Sequence, residues 1–219
     1  MQVKMTICTP KNLGRSNETT AESQAALELI SKVKSQKDKG YRETVDDAGA
    51  IGNSLPMLAS NGATRPSLIV FPLDVSVKID GVRCFARLIE GEVILTSRGG
   101  KPYLTPAYLV DPFLELFNEL DTDILDGELY IHGLPLQEII SIVKKPEEDS
   151  PELSFMLFDI PVVDVAWKIR KMDLDKVYRY SVARGFDTKI TVVPALCIYN
   201  AEEMAEMLEV AELSGERVS

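Results

Sequence analysis

Val75-Ser76-Val77-Lys78-Ile79-Asp80-Gly81-Val82-Arg83-Cys84-Phe85-Ala86-Arg87-Leu88-Ile89-Glu90-Gly91-Glu92-Val93-Ile94-Leu95-Thr96 is the stretch on which the fold turns. Its apolar residues come in short runs, Val75 to Ile79, Cys84 to Ile89 and Val93 to Thr96, separated by Asp80-Gly81 and Glu90-Gly91. Such runs bounded by Asp, Glu and Gly predict β-strands, with Glu90-Gly91 as the turn of a hairpin. A further apolar run, Leu68 to Phe71, predicts a strand ahead of them.

Working upstream, Thr19 and Glu22 stand three apart before Ala25, Ala26, Leu27, Leu29, Ile30 and Val33. This reads as a capping box opening a helix of about four turns that frays into Lys34 to Gly40. Tyr41 to Asn61, rich in Gly, Asp, Asn and Ser, reads as a connector. Downstream, Asp111-Pro112 predicts an N-cap and first-turn proline, with Phe113, Leu114, Leu116, Phe117 and Leu120 as the apolar face behind them. A strand over Ile124 to Ile131 follows, then a short helix near Pro135 to Val143 and a strand over Phe155 to Ile160. Val165 to Arg184 is helical with Gly185 past its end, and Ile190 to Tyr199 is a strand. Asn200 and Glu203 cap a last helix with Met204, Leu208 and Ala211 on one side, closed by Gly215. Strands and helices mix without strict βαβ alternation, so the expected class is α+β with antiparallel sheets. The expected division is a basic helical segment with its connector over residues 1–54, then one domain over 55–219.

The chain has 219 residues, 45% of them hydrophobic, with 34 acidic and 24 basic side chains and a formal charge of −10. That is ample core material for one large or two small domains. No run of about 18 apolar residues occurs, and Met1 to Pro10 lacks the apolar core of a secretory signal, so neither a membrane partner nor secretion is expected. Cys8, Cys84 and Cys197 are odd in number and far apart, and His132 is the one imidazole. A disulfide framework or zinc site does not fit, and a reducing cytoplasm is the expected compartment. Residues 1–42 carry +4 and the remainder −14, so any electrostatic contribution to nucleic-acid binding is expected from the N-terminal segment; a solvated helix with a basic face fits as well.

Lys78, Asp80, Gly81 and Arg83 form Lys-x-Asp-Gly-x-Arg. A lysine in so strand-like a setting is expected to be partly desolvated. A neutral amine attacks phosphorus or carbonyl centres. The plain alternative is an edge-strand lysine beside an Asp-Gly turn; the four letters arise by chance in roughly one chain of this length in three hundred. Twenty residues on, Ser97-Arg98-Gly99-Gly100-Lys101 offers Arg98, Lys101 and glycine N–H groups to a phosphate, or is simply a basic turn. Asp126-Gly127-Glu128 lies fifty residues past the lysine, where Glu128 could hold a ribose hydroxyl or a hard cation. Phe155-Met156-Leu157-Phe158-Asp159, taken alone, reads as core.

In this order and spacing, the four segments resemble the nucleotidyltransferase (adenylation) domain of ATP-dependent polynucleotide ligases, chiefly DNA ligases. Pro56-Met57-Leu58-Ala59 and Gly127-Glu128-Leu129-Tyr130-Ile131-His132-Gly133 resemble further segments of that family, and the likeness covers about residues 55 to 213. Asn12 to Thr20 resembles the connector ahead of the catalytic domain in some phage and bacterial ligases, which points to the cytoplasm of a bacterial or phage-infected cell.

The resemblance implies ATP as cofactor, magnesium with it, and nicked double-stranded DNA as partner. It implies that Lys78 takes AMP as a phosphoramidate, with Asp80 and Arg83 beside it. By the same likeness Arg83 contacts nucleotide or nick phosphate, Arg98 a phosphate, Glu128 the ribose, and Phe158 stacks on adenine. The family also carries a later Glu-Gly-x-Val segment, a Lys-x-Lys strand and an OB-fold domain. The chain is expected to stop just before these, with Glu216 and Val218 as the alternative remnant of the first. Three readings follow: an ATP-dependent DNA ligase or its adenylation domain; an RNA ligase or capping-type nucleotidyltransferase; and a truncated nucleotide-binding module with little turnover.

Overall fold

The computed structural model describes residues 5–38, 41, 66–120, 122–145, 152–162, 164–214 and 217–218. The chain divides into two compact units, Met1–Asn53 and Ser54–Ser219. Pro56 to Ala59, most of the expected connector, Gly215 and Glu216 lie outside the described residues.

The first unit contains helix α1, Ala21–Asp38. Its capping pair is Thr20 and Ser23, one residue on from the expected one. The Ser23 N–H donates to Thr20 Oγ1 at 3.1 Å and the Thr20 N–H to Ser23 Oγ at 2.8 Å. Thr19 is instead held by the Lys11 N–H and by Gln24, so it is not available to cap. Leu27, Leu29, Ile30 and Val33 are exposed. These apolar residues of α1 therefore do not enter a core.

In the second unit a 3₁₀ turn over Pro66–Leu68 precedes β1 (Leu73–Lys78), β2 (Val82–Ile89) and β3 (Glu92–Thr96). Leu68 to Phe71 is not a strand. It lies between Pro66 and Pro72, neither of which has an N–H for a ladder, and Leu68 and Val70 are exposed. The β2–β3 hairpin forms as expected, with Glu90 at φ 51° and Gly91 at φ 85°. Two consecutive positive φ values match the twist of the flanking strands.

Helix α2 is Ala107–Leu120, so Pro112 falls inside it rather than at its start. The helix opens earlier, with the Leu109 N–H donating to Pro106 O at 3.0 Å, because Leu109 is buried with Phe113 and Leu116 on one face. Then come β4 (Ile124–Tyr130), α3 (Leu136–Lys144), β5 (Ser154–Asp159) and α4 (Trp167–Arg184), which ends on Gly185 at φ 74°. The expected strand over Ile190 to Tyr199 is two strands, β6 (Ile190–Val192) and β7 (Ala195–Ile198). Pro194 supplies no N–H between them, so the chain leaves one sheet and enters another at that point. Helix α5, Ala201–Ser214, has the expected box: Asn200 Oδ1 accepts from the Glu202 and Glu203 N–H groups, and Glu203 accepts from the Tyr199 N–H. Last is β8, Arg217–Val218.

Among the described residues the strands form a three-stranded sheet, β7-β1-β8, and a five-stranded one, β3-β2-β4-β5-β6. All described pairings are antiparallel except β5 with β6, which is the α+β architecture expected. One face of the larger sheet, with Cys84, Ala86, Leu95, Leu125, Leu129, Phe155 and Leu157, packs under α2, α3 and α4 to form the core. Alternation sends Arg83, Phe85 and Arg87 to the opposite face.

Gly127 is needed where it stands. A Cβ there would lie 2.5 Å from Met156 O and 2.7 Å from the Phe155 ring.

Candidate active site on the open face of the larger sheet

Lys78 ends β1, and three residues, Ile79 to Gly81, separate it from the start of β2. Its Nζ lies 3.2 Å from Asp80 Oδ1, and its side chain is 44% exposed. The expected desolvation of this lysine is thus not provided by the fold. The strand end faces outward, where the lysine pairs with Asp80.

The Gly81 N–H donates to Glu128 Oε2 at 2.7 Å. That bond ties the β1–β2 corner to β4. A Cβ on Gly81 would stand 2.6 Å from Leu129 O, so the close approach requires glycine. Burial pushes the Glu128 carboxyl above its usual range, against the pull of the Gly81 N–H, Lys78 and Arg83, while Asp80 adds to the rise. Lys78, Asp80, Arg83 and Glu128 therefore form one electrostatic cluster.

Arg83 is opposite Glu128 in the β2–β4 register and grips Asp126, two residues earlier on the same face. Its Nε donates to Oδ1 at 2.8 Å and its Nη2 to Oδ2 at 2.7 Å. The guanidinium also stands 4.4 Å from the centre of the Phe158 ring. Asp126 is 3% exposed, and burial pushes its carboxyl up to about 6 although Arg83 pulls it down; Asp159 and Glu128 add to the rise.

The position of Phe158 has a local cause. Asp126 pairs with Asp159 but Gly127 pairs with Leu157, so β5 spends one extra residue, Phe158, in a bulge. A bulge re-aims a side chain. Phe158 is half-buried beside Arg83, whereas Phe155 and Leu157 enter the core. The composition-based reading of the segment as core holds for Phe155 and Leu157, while Phe158 leaves the core and meets the Arg83 guanidinium.

Arg98 lies in the loop after β3. The Phe85↔Thr96 pairing brings that loop to the end of the sheet where β2 begins. In this loop Gly100 N–H donates to Ser97 O at 2.9 Å and Lys101 N–H to Ser97 Oγ at 3.0 Å. Those two N–H groups are spent within the turn, so the expected display of glycine N–H groups to a phosphate is reduced.

Side chains with no expected role complete the frame. Asp126 is the first letter of Asp126-Gly127-Glu128; its spacing of two from Glu128 on a strand was the signal that it shares the Arg83 face. Asp159 is held by Arg170, with Nε–Oδ1 at 2.7 Å and Nη2–Oδ2 at 3.1 Å. Asp74 accepts from Trp167 Nε1 at 2.6 Å and from Lys171. Among the described residues no group of three or more His, Cys, Asp or Glu side chains forms a cation cage. The cysteines are all free, and burial pushes the Cys84 thiol up, which leaves it inert at neutral pH.

Residues 56–216 match the family described as "ATP dependent DNA ligase domain". The chain is 34% identical over 163 residues to a DNA ligase of African swine fever virus (isolate Warthog/Namibia/Wart80/1980), which covers 71% of this chain and 38% of that ligase. It thus spans well under half the length of that curated relative. Among solved structures it resembles a Lig E DNA ligase, described under DNA binding with a minimal scaffold, at TM-score 0.57 and 22% identity over 77% of this chain and 61% of that one. It also resembles Chlorella virus DNA ligase-adenylate at TM-score 0.51 and 22% identity, covering 68% of this chain and 53% of that one. At such identities these structural likenesses speak for the fold.

Proposed function

The chain belongs to the family of ATP-dependent DNA ligase domains, and from that membership we propose that it performs the first step of ligation, transfer of AMP from ATP to Lys78. The observation that supports this most is the joining of Lys78, Asp80, Glu128, Arg83 and Phe158 through short contacts and one shared field. In the proposed step Lys78 Nζ attacks the α-phosphorus. A P–N bond forms, the bond from α-phosphorus to its bridging oxygen breaks, and pyrophosphate leaves. The ammonium first gives up a proton, for which Asp80 Oδ1 at 3.2 Å is an acceptor within reach, and the amine releases a second as the P–N bond forms, which the leaving pyrophosphate or water takes up.

Phe158 offers a face to adenine and Glu128 a carboxylate to the ribose. Arg83 and Arg98 supply positive charge for phosphate. Magnesium, when bound, neutralises charge on the leaving pyrophosphate. Glu128 and Asp80 are the carboxylates at the site that would hold such an ion.

The downstream partner is nicked double-stranded DNA, a reading supported by the names of the viral relatives. The setting is a reducing cytoplasm, as three free cysteines favour. No helix of the described residues is long and apolar enough to cross a membrane.

The test is incubation with ATP labelled at the α-phosphate, with GTP and with NAD, each followed by a denaturing gel. Label retained from ATP alone supports the ligase reading. Retention from GTP turns it to a capping-type enzyme, and no retention from any of them contradicts it. A second expectation concerns the base: Phe158→Ala should weaken ATP binding by about 1 to 3 kcal/mol, the range for aromatic stacking on bases. Calorimetric titration measures this. A lowered melting temperature with unchanged ATP affinity would return Phe158 to a packing role beneath Arg83.

A further inference from the structure

Lys78 and Phe158 stand on strands of different sheets, β1 and β5, between which no backbone ladder runs. The backbone passes between the two sheets at Ile79 to Gly81 and at Val193 to Pro194, and the start of α4 adds a side-chain link that reaches both strands. Toward β5, Arg170 makes the two-bonded pair with Asp159, the neighbour of Phe158, and its Nη1 donates to Val165 O at 2.6 Å. Toward β1, Trp167 and Lys171 both bond Asp74. The two grips are joined, since the Arg170 guanidinium lies 5.6 Å from the Trp167 ring centre.

Asp74 precedes Lys78 by four residues on one strand, so by strand periodicity both side chains leave the same face. Gly81 already ties the far side of Lys78 to β4. Asp74 supplies the other anchor, and the lysine lies between two fixed points. Although burial alone would raise it, the bonds from Lys171 and Trp167 and the Lys171 charge hold the Asp74 carboxyl below its usual range, so the anchor is ionised throughout the neutral region.

We propose that Asp74, gripped by Trp167 and Lys171, is a positioning residue that sets the lysine strand at the distance from the Phe158 strand required for attack on the α-phosphorus. This rests on the adenylation reading above. Attack at phosphorus is steep in geometry, and a shift on the order of 1 Å can cost a hundredfold. The nucleotide contacts proposed for Arg83, Glu128 and Phe158 come from β2, β4 and β5, to which Asp74 makes no described bond, and the Lys78 charge stays in the site whichever way its strand shifts. A fault in the strut should therefore appear in the rate at saturating ATP and not in affinity.

The experiment measures single-turnover transfer of label from ATP, ATP affinity by calorimetry and thermal melting for the 219-residue chain and three variants. Asp74→Ala removes both bonds to β1. Glu115→Ala removes the Arg184 Nε to Glu115 Oε2 pair at 2.7 Å, which ties the other end of α4 to α2 and touches neither strand of the site. Expected are a fall of roughly ten- to a hundredfold in the saturated rate for Asp74→Ala with ATP affinity within about threefold, and an unchanged rate for Glu115→Ala. Partial recovery in Asp74→Glu, which keeps the charge, is also expected. An unchanged rate in Asp74→Ala, a loss confined to affinity, or slowing of both alanine variants in proportion to their melting temperatures would overturn the proposal while leaving adenylation intact. Failure of the unaltered chain to take label would overturn the adenylation reading, and this inference with it.

Discussion

Lys78→Ala should take up no AMP from ATP, a loss of roughly a thousandfold or more in adduct formation, since no residual chemistry replaces a missing nucleophile. The fold should survive the change. The side chain is 44% exposed and its one described ion pair is with the equally accessible Asp80, so melting should move little. Lys78→Arg separates charge from nucleophilicity. A guanidinium keeps its proton and cannot attack phosphorus, yet it retains the positive charge in the site. It should bind ATP better than the alanine variant and form no more adduct. Adduct formation by either variant, read on a denaturing gel with labelled ATP, would remove Lys78 from the mechanism.

Arg83→Ala should be the most destabilising change in the site, costing about 3 kcal/mol at pH 8 because it strands the buried Asp126 carboxylate without its partner. The pH dependence identifies the cause. Asp126 has its folded pKa raised to about 6, whereas the unfolded value is about 3.9. Between these the folded state binds the additional proton, so its contribution is most favourable below about pH 4 and is lost as pH rises through 6. In the variant the carboxyl rises further and stays protonated at pH 5, and a neutral carboxyl needs no cation. The difference in stability between the parent and Arg83→Ala should therefore shrink between pH 8 and pH 5 in urea titrations. A difference independent of pH would mean that packing on Phe158, not the ion pair with Asp126, is what Arg83 supplies.

Much of this was written locally and could be read that way. The hairpin at Glu90-Gly91, the Gly185 terminus of α4 and the Asn200–Glu203 box each depend on residues within a few positions of one another, and each is where the sequence places it. What escaped the sequence depends on partners far along the chain. Pro112 looked like a helix start because its own neighbours permit one; burial of Leu109 against the sheet extends α2 past it. The run from Ile190 to Tyr199 looked like one strand because nothing local says that β6 joins β5 while β7 joins β1.

The same division runs through the site. The order of Lys78, Arg98, Glu128 and Phe158 was legible, as was the neighbourhood of Lys78 and Asp80. Illegible were the bulge that turns Phe158 toward Arg83, the partnership of Arg83 with Asp126 across two strands, and the grip of α4 on Asp74, 93 and 97 residues away. The outward setting of Lys78 was missed because an apolar strand says nothing about whether its last residue is covered.

The central claim is that one particular amine receives AMP, and peptide mapping by mass spectrometry tests it most directly. The unaltered chain is incubated with ATP and magnesium, digested and sequenced in the mass spectrometer. The account predicts a single AMP carried on Lys78. An adduct on Lys101 or Lys144, or none on any lysine, would contradict it.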